Sequence, residues 1–428
     1  MNKSKPKILV FTVASWNSKV GSNTWADLLK QYDAEQLANI FIRDELPDSK
    51  ICSRYFSISE NKILKSLFNK RIKTGKEIIR GIVTEQTNDL NEHNKRYERH
   101  RKKRRYIMLM FRELVWKFGN WKSKELNDFL DDFQPNIILY SMEGYIHFNR
   151  IVQYAIKRTG ARAIGYIWDD NFTYKQSKKI GYKIYRYFQR KSLKKLAKQT
   201  DDFFAITAKT KREADKFFKI NSKVLTKPLN CVPRVEAYER PNYPIRMLYT
   251  GKLLIGRNNT LIKIVEVLKS LNIKGKIFLD IYTQTMLKKR ELEKLDVEYC
   301  RIHHAISQKE VLEKQKQADV LLFLEALKGE NSRTARLSFS TKITDYLSSG
   351  KCIFAVGNNG LAPIDYLKAQ QAALVATNEI EIEKCLKELL SDLSVLRKYA
   401  KNAIRCGIEN HNEEIILRKF DEAIQNVR

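Results

Sequence analysis

The chain has 428 residues, with 80 Lys+Arg against 49 Asp+Glu and a formal charge of +31. Its hydrophobic share of 43% excludes extensive disorder, and its length predicts two or three domains rather than one core. Six cysteines without paired spacing (Cys52, Cys231, Cys300, Cys352, Cys385, Cys406) argue against a zinc site or a disulfide framework and fit a reducing cytosol. No apolar run reaches the roughly 20 residues that span a bilayer.

The start, MNKSKPKILVFTV, has a basic lead, but its apolar stretch ends at Ser15–Trp16–Asn17 without a small-residue cleavage site. It predicts a buried first strand. Further strands are expected at Leu37–Ile42, Asn136–Tyr140, Ala163–Trp168, Phe203–Thr207 and Lys223–Thr226, with helices such as Phe148–Arg158 and Lys209–Phe218 between them. The strands lack polar/apolar alternation, as parallel strands covered on both faces do. From about Asn61 to Phe118 no strand is expected, only a helical insertion with a basic run that includes Arg104 and Arg105, followed by Tyr106–Phe111. A second basic helix is expected over Lys175–Lys198, where Lys179, Lys183, Arg186, Arg190 and Lys194 interleave with aromatics and no acid intervenes.

Half of the eight prolines (Pro228, Pro233, Pro241, Pro244) cluster at a break in the pattern. Strands then restart at Arg246–Thr250, Lys276–Tyr282, Asp319–Leu324, Cys352–Val356 and Ala373–Ala376. Helices are expected at Leu261–Leu271, Gln308–Gln317, Lys342–Ser348, Glu379–Leu390, Ser394–Ile404 and Glu413–Val427. The expected organisation is a first Rossmann-like lobe over 1–230, a proline-rich hinge over 231–244, a second lobe over 245–405, and a closing helix in 406–428 that packs back on the first lobe.

Ligands of open parallel sheets bind beyond the carboxyl ends of the strands. After the first strand, the loop through Gly21, Ser22 and Asn23 is either an anion-binding turn or a plain turn with a helix cap. Neither G-x-G-x-x-G nor G-x-x-x-x-G-K-[ST] occurs, which removes the main support for dinucleotide and P-loop readings. After the first strand of the second half, Gly251, Lys252 and Arg257 form a loop that is either suited to a phosphate or simply a solvated basic loop in a basic chain. The segment Phe339–Lys351 offers Ser340 or Thr341 as N-cap, Lys342 as a cation and Gly350 as a stop. Its alternative reading is a short buried helix with ordinary caps.

Together, G-K-L-x-x-x-R and F-S-T-K-I-x-D-Y-L-S-S-G-K resemble the retaining glycosyltransferases of the GT-B fold, family 4 type, in bacterial surface-polysaccharide assembly. The resemblance implies an α/β architecture of two Rossmann-like parallel-sheet lobes facing a cleft. It places Lys252 and Arg257 on the diphosphate of a UDP or GDP sugar, with the family's Arg and Lys exchanged. Asp345 takes the second Glu of the E-x7-E element, whereas Leu337 stands where the first belongs, and Glu325 is the candidate to replace that contact. Asp169 matches the Asp of the family's His-Asp, with Trp168 at the His, and is either a contact at the sugar or acceptor hydroxyl or an N-cap or loop residue; Glu143 and His147 are expected on the cleft side, with a helix-capping role the alternative for His147. The implied reaction is a metal-independent hexosyl transfer with retention and no cofactor, since no D-x-D follows an expected strand.

The basic helices predict either a solvated face or contact with an anionic membrane, which suits a lipid-linked glycan acceptor and a cytoplasmic, peripheral enzyme on the inner face of the cell membrane. Two other functions compete. A nucleic-acid-binding protein has the charge in its favour but no reading module, so no nucleic-acid partner is expected. A non-catalytic sugar-nucleotide-binding subunit has the missing first Glu in its favour.

Overall fold

A computed structural model describes residues 6–16, 24–79, 106–229, 244–271, 275–295 and 297–427. Gly21, Ser22, Asn23, Arg104 and Arg105 lie outside the described residues, as does the 231–244 hinge apart from Pro244. The chain divides into two units, Met1–Leu225 with Arg418–Arg428, and Thr226–Leu417.

The first unit holds an eight-stranded sheet. Its strands are β1 (Ile8–Thr12), β2 (Leu37–Phe41), β3 (Arg54–Ile58), β4 (Gly75–Ile79), β5 (Ile137–Ser141), β6 (Arg162–Ile167), β7 (Asp202–Ala205) and β8 (Lys223–Val224). Their order is β4-β3-β2-β1-β5-β6-β7-β8, parallel throughout except for the β3–β4 pair. β1, β2 and β5 are buried along their whole length, which explains why they lack alternation. Asn39 is the polar exception inside β2; its side-chain amide donates to the Val10 carbonyl at 3.0 Å and to Thr12 Oγ1 at 2.9 Å.

The supposedly strandless insertion needs correction. β4 falls inside it and pairs antiparallel with β3, held at the sheet edge by an Arg54–Glu77 ion pair of 2.7 Å. Its sequence, GKEII, is polar and half exposed, so it gives a weak strand signal. The described insertion also holds two helices, at Glu60–Lys65 and Tyr106–Phe118.

The end of the last helix, Glu413–Val427, belongs to this first unit. Phe420 packs on Phe204 with ring centroids 6.0 Å apart, Tyr32 donates to Asp421 at 2.6 Å, and Arg162 donates to the Val427 carbonyl at 3.0 Å.

The second unit holds six parallel strands: β9 (Ile245–Thr250), β10 (Ile277–Thr283), β11 (Cys300–His304), β12 (Val320–Leu324), β13 (Cys352–Val356) and β14 (Leu374–Ala376). The order β11-β10-β9-β12-β13-β14 is the doubly wound arrangement, in which strand order reverses between β9 and β12. In the first sheet the reversal lies between β1 and β5. β11 was not expected; its sequence CRIHH is a half-exposed edge strand. Helix Arg257–Ser270 covers this sheet with Leu261, Ile264, Val265 and Leu268, one stripe at helical spacing. Helix Ser394–His411 runs seven residues beyond the expected Ile404, because Gly407 fits closely against Leu229 and Leu347 and does not end it.

Candidate functional site

In the second unit, a charged cluster forms where strand order reverses. β9 runs into the loop Gly251–Gly256, whose two glycines have φ of +132° and +82°. Both values disfavour any residue with a Cβ. Arg257 follows immediately, and it opens a helix rather than lying in the loop that the sequence suggested. Its Nε donates to the Leu324 carbonyl at 3.0 Å and to Glu325 Oε2 at 3.2 Å, while Nη2 donates to Glu325 Oε1 at 2.7 Å. This is a two-pronged pair between the start of a helix and the end of β12. Glu325 is almost fully buried, and Gly357 after β13 leaves it room, since a Cβ there would approach Glu325 Cβ to 2.9 Å.

Lys342 completes the cluster. A Cβ on Gly251 would sit 2.0 Å from Lys342 Nζ, so the ammonium lies directly over the glycine. It also lies 4.9 Å from the Tyr249 ring centroid. Desolvation first, and then the Arg257 charge, pull the Lys342 ammonium down to about 8, against the opposing pull of Glu325 and Asp345. Two cations crowded over one carboxylate leave a local positive excess at the end of the sheet.

Other expected donor residues stand differently. Lys252 is exposed, and its carbonyl accepts from the Tyr249 hydroxyl at 2.9 Å. Asp345 Oδ1 pairs with Lys227 Nζ at 3.1 Å, and the Lys227 side chain is 2% exposed. Sequence reasoning missed Lys227 because it stands in the proline-rich stretch read as a linker. Thr341 is in helical conformation and makes no capping bond, whereas Ser340 Oγ accepts from the Lys342 amide at 3.4 Å. The helix they precede, Lys342–Leu347, has only 6 residues, so its dipole adds little and the cation there is the Lys342 side chain. Leu337 is fully buried.

In the first unit, Glu143 lies just past β5 and accepts from Ser141 Oγ at 2.7 Å. Desolvation raises its carboxyl to about 7, with the Asp169 charge adding and Arg43 opposing. Asp169 follows β6, and its carbonyl accepts from the Asn171 amide at 3.0 Å. Neighbouring Asp170 is a turn residue that holds Thr173 through its amide at 2.9 Å and its hydroxyl at 2.5 Å. Trp168 packs edge-on against Trp25 at 5.9 Å.

His147 is the second residue of helix Ile146–Thr159 and turns away from the acceptor side. It is 1% exposed, stacked on Trp116 at 4.5 Å, with Nδ1 3.0 Å from Glu113. Glu113 also accepts the Ile146 and His147 amides at 3.0 and 2.8 Å, capping helix Ile146–Thr159 from a neighbouring helix. Burial keeps His147 below the usual histidine range, despite the Glu113 charge.

On helix Ile180–Ala197, Lys179 (its N-cap), Lys183 and Lys194 are exposed. Arg186 and Arg190 are corrections, because both turn inward. Arg186 is 4% exposed, lies 5.1 Å from the Tyr182 ring and donates to Gln176 at 2.7 Å. Arg190 lies 4.1 Å from the Phe217 ring and 4.5 Å from Tyr174.

No protein-family model matches the chain, and no curated protein matches it. Solved structures do. A glycosyltransferase from Rickettsia africae ESF-5 superimposes with a TM-score of 0.59 at 13% identity, covering 99% of both chains. HepE of Anabaena in complex with UDP-glucose gives 0.59 at 10% identity, over 99% of this chain and 100% of that one. An α,α-trehalose-phosphate synthase (UDP-forming) from Burkholderia vietnamiensis gives 0.61 at 8% identity, over 99% and 98%. With two Rossmann-like parallel sheets, the chain has the GT-B fold of these glycosyltransferases.

Proposed function

We propose that this chain is a glycosyltransferase that moves a hexose from a nucleoside-diphosphate sugar to a glycan acceptor, with retention of configuration and without a metal. The observation that carries the reading is the positive cluster of Arg257 and Lys342 over Gly251, at the point where the second sheet reverses its strand order. Open αβ sheets take their ligands there, and the missing side chain at Gly251 lets the Lys342 ammonium come against the backbone at the strand end, where it can meet a diphosphate oxygen. The UDP-glucose held by HepE favours a UDP donor over a GDP donor.

In this reading Lys342 and Arg257 hold the charge that grows on the departing diphosphate. A donor phosphate competes with Glu325 for the Arg257 guanidinium, and the released carboxylate turns to the sugar hydroxyls. The acceptor hydroxyl attacks on the face the diphosphate leaves, and a diphosphate oxygen takes its proton. Glu143 and Asp169 serve the acceptor. The acceptor class is a lipid-linked glycan of a surface polysaccharide, met on the cytoplasmic face of the membrane, which agrees with the exposed basic side chains of helix Ile180–Ala197.

Melting of the purified chain with UDP, GDP, ADP or short RNA tests the donor site. Ligand at about 100 times its dissociation constant stabilises the folded state by roughly 2.7 kcal/mol. A shift with one diphosphate that disappears in Lys342→Ala supports the proposal. A shift with RNA alone overturns it. Leu337 and the engaged Glu325 favour one rival, a subunit that binds the nucleotide sugar without turnover; nucleotide binding without transfer to any lipid-linked acceptor would select it.

A further inference from the structure

Two neighbouring helices of the first unit carry apolar stripes that the fold leaves uncovered. On helix Tyr106–Phe118, Ile107, Phe111, Leu114 and Phe118 recur along one side, exposed by 80%, 63%, 50% and 62%. Such spacing normally turns a stripe into a core, but here Val115 and Trp116 supply the buried side. On helix Ile180–Ala197, Ile180 and Ile184 are 77% and 47% exposed, while Tyr182, Leu193 and Leu196 face inward. The helices touch through Tyr106 and Tyr182, whose rings lie 6.0 Å apart, and through the Tyr185 hydroxyl, which donates to Glu113 at 3.2 Å. An open groove on the second helix is lined by Tyr174, Lys183, Ile184, Tyr187 and Phe188.

Charge identifies the occupant. From Asn171 to Thr200 the chain has ten Lys or Arg and no acid. With Arg186 and Arg190 turned inward, the exposed cations are lysines, among them Lys179, Lys183, Lys191 and Lys195. A second copy would bring the same positive charge to an isologous contact, which opposes dimerisation through this face. Apolar side chains rimmed by lysines match the boundary between acyl chains and anionic headgroups instead.

We infer that this two-helix face lies on an anionic bilayer. Ile107, Phe111, Ile184 and Phe188 enter the headgroup boundary, and Lys183 and Lys191 meet lipid phosphates. The inference rests on the proposed reading for its purpose, since it brings the enzyme to a lipid-linked acceptor; its geometry is independent of the donor site.

The test is co-sedimentation of the full chain with vesicles of phosphatidylcholine alone or mixed with phosphatidylglycerol. Binding is expected only to the mixture. Lys183→Glu with Lys191→Glu should weaken it at least about tenfold. Phe111→Ser with Phe188→Ser should abolish the fraction that survives high salt, with melting and the UDP shift unchanged. A wild-type chain that binds neither vesicle, or variants that bind as it does, overturns the inference. So does a concentration-dependent dimer that the serine variants dissociate while vesicles go unbound. Vesicle binding by a chain that shows no nucleotide shift supports the membrane face and overturns the donor reading.

Discussion

Glu325 and Glu143 occupy equivalent places in the two sheets. Each follows the strand that flanks the first strand of its sheet, β12 beside β9 and β5 beside β1, where strand order reverses. In the second unit the carboxylate meets Arg257 in a two-pronged pair, with Lys342 close by. In the first it meets a serine hydroxyl and the repelling charge of Asp169, and its carboxyl rises to about 7. The same topological position thus yields a fixed ion pair in one sheet and a titratable acid in the other. Burial raises the Glu143 carboxyl most, and the Asp169 charge adds to it.

Glu325→Ala should break the comparison most severely. It strands Arg257 in a largely buried position and is expected to cost about 3 kcal/mol by denaturant unfolding. Glu143→Ala should cost no more than about 1 kcal/mol in the same assay, since it removes one hydroxyl contact. Equal costs would mean that the two carboxylates are structurally alike. Next come Lys342→Ala and Arg257→Ala, each of which should weaken UDP roughly 10-fold to 100-fold in titration calorimetry through loss of a charge-assisted contact. Unchanged affinity in both would remove the second sheet from donor binding.

The pH responses sharpen the contrast, because the two groups are shifted from their ordinary values in opposite directions, Lys342 downward and Glu143 upward. Lys342 holds phosphate while protonated, so UDP affinity should be level below pH 8 and fall above it, by up to about tenfold per unit. Lys342→Arg should flatten that profile. Glu143 keeps its proton up to about pH 7 in the folded chain, against an ordinary value of 4.5. The folded state therefore binds more protons within that window, and the contribution of Glu143 to stability falls as pH rises through it. Glu143→Gln should reduce this slope and raise the melting temperature slightly at pH 8. A melting profile identical to the wild type would show that the acid is solvated.

Much of this was legible in the sequence. β12 and β13 are unbroken apolar runs, and their burial matches that reading residue for residue. The edge strands β4 and β11 were not, since GKEII and CRIHH are only partly buried and mix charged or polar residues with few apolar ones. In the site, Gly251, Lys342, Arg257 and Glu325 were each named from the chain alone. Their pairing was not, because Arg257 and Glu325 lie 68 positions apart and meet only once β9 and β12 are neighbours. The Lys227–Asp345 pair joins residues 118 apart, and one of them sits among prolines that signalled only a break.

The final helix gives the molecule an interleaved chain path. Because Arg418–Arg428 returns to the first unit, the second unit is an insertion into the first, entered after Leu225 and left after Leu417. Cutting the gene at the proline cluster would therefore not yield two independent halves. The amino-terminal fragment would lack Phe420, Asp421 and the carbonyl of Val427, leaving Phe204, Tyr32 and Arg162 uncovered. Supplying the last helix as a separate peptide, or permuting the chain so that it precedes β1, is the way to obtain that half whole.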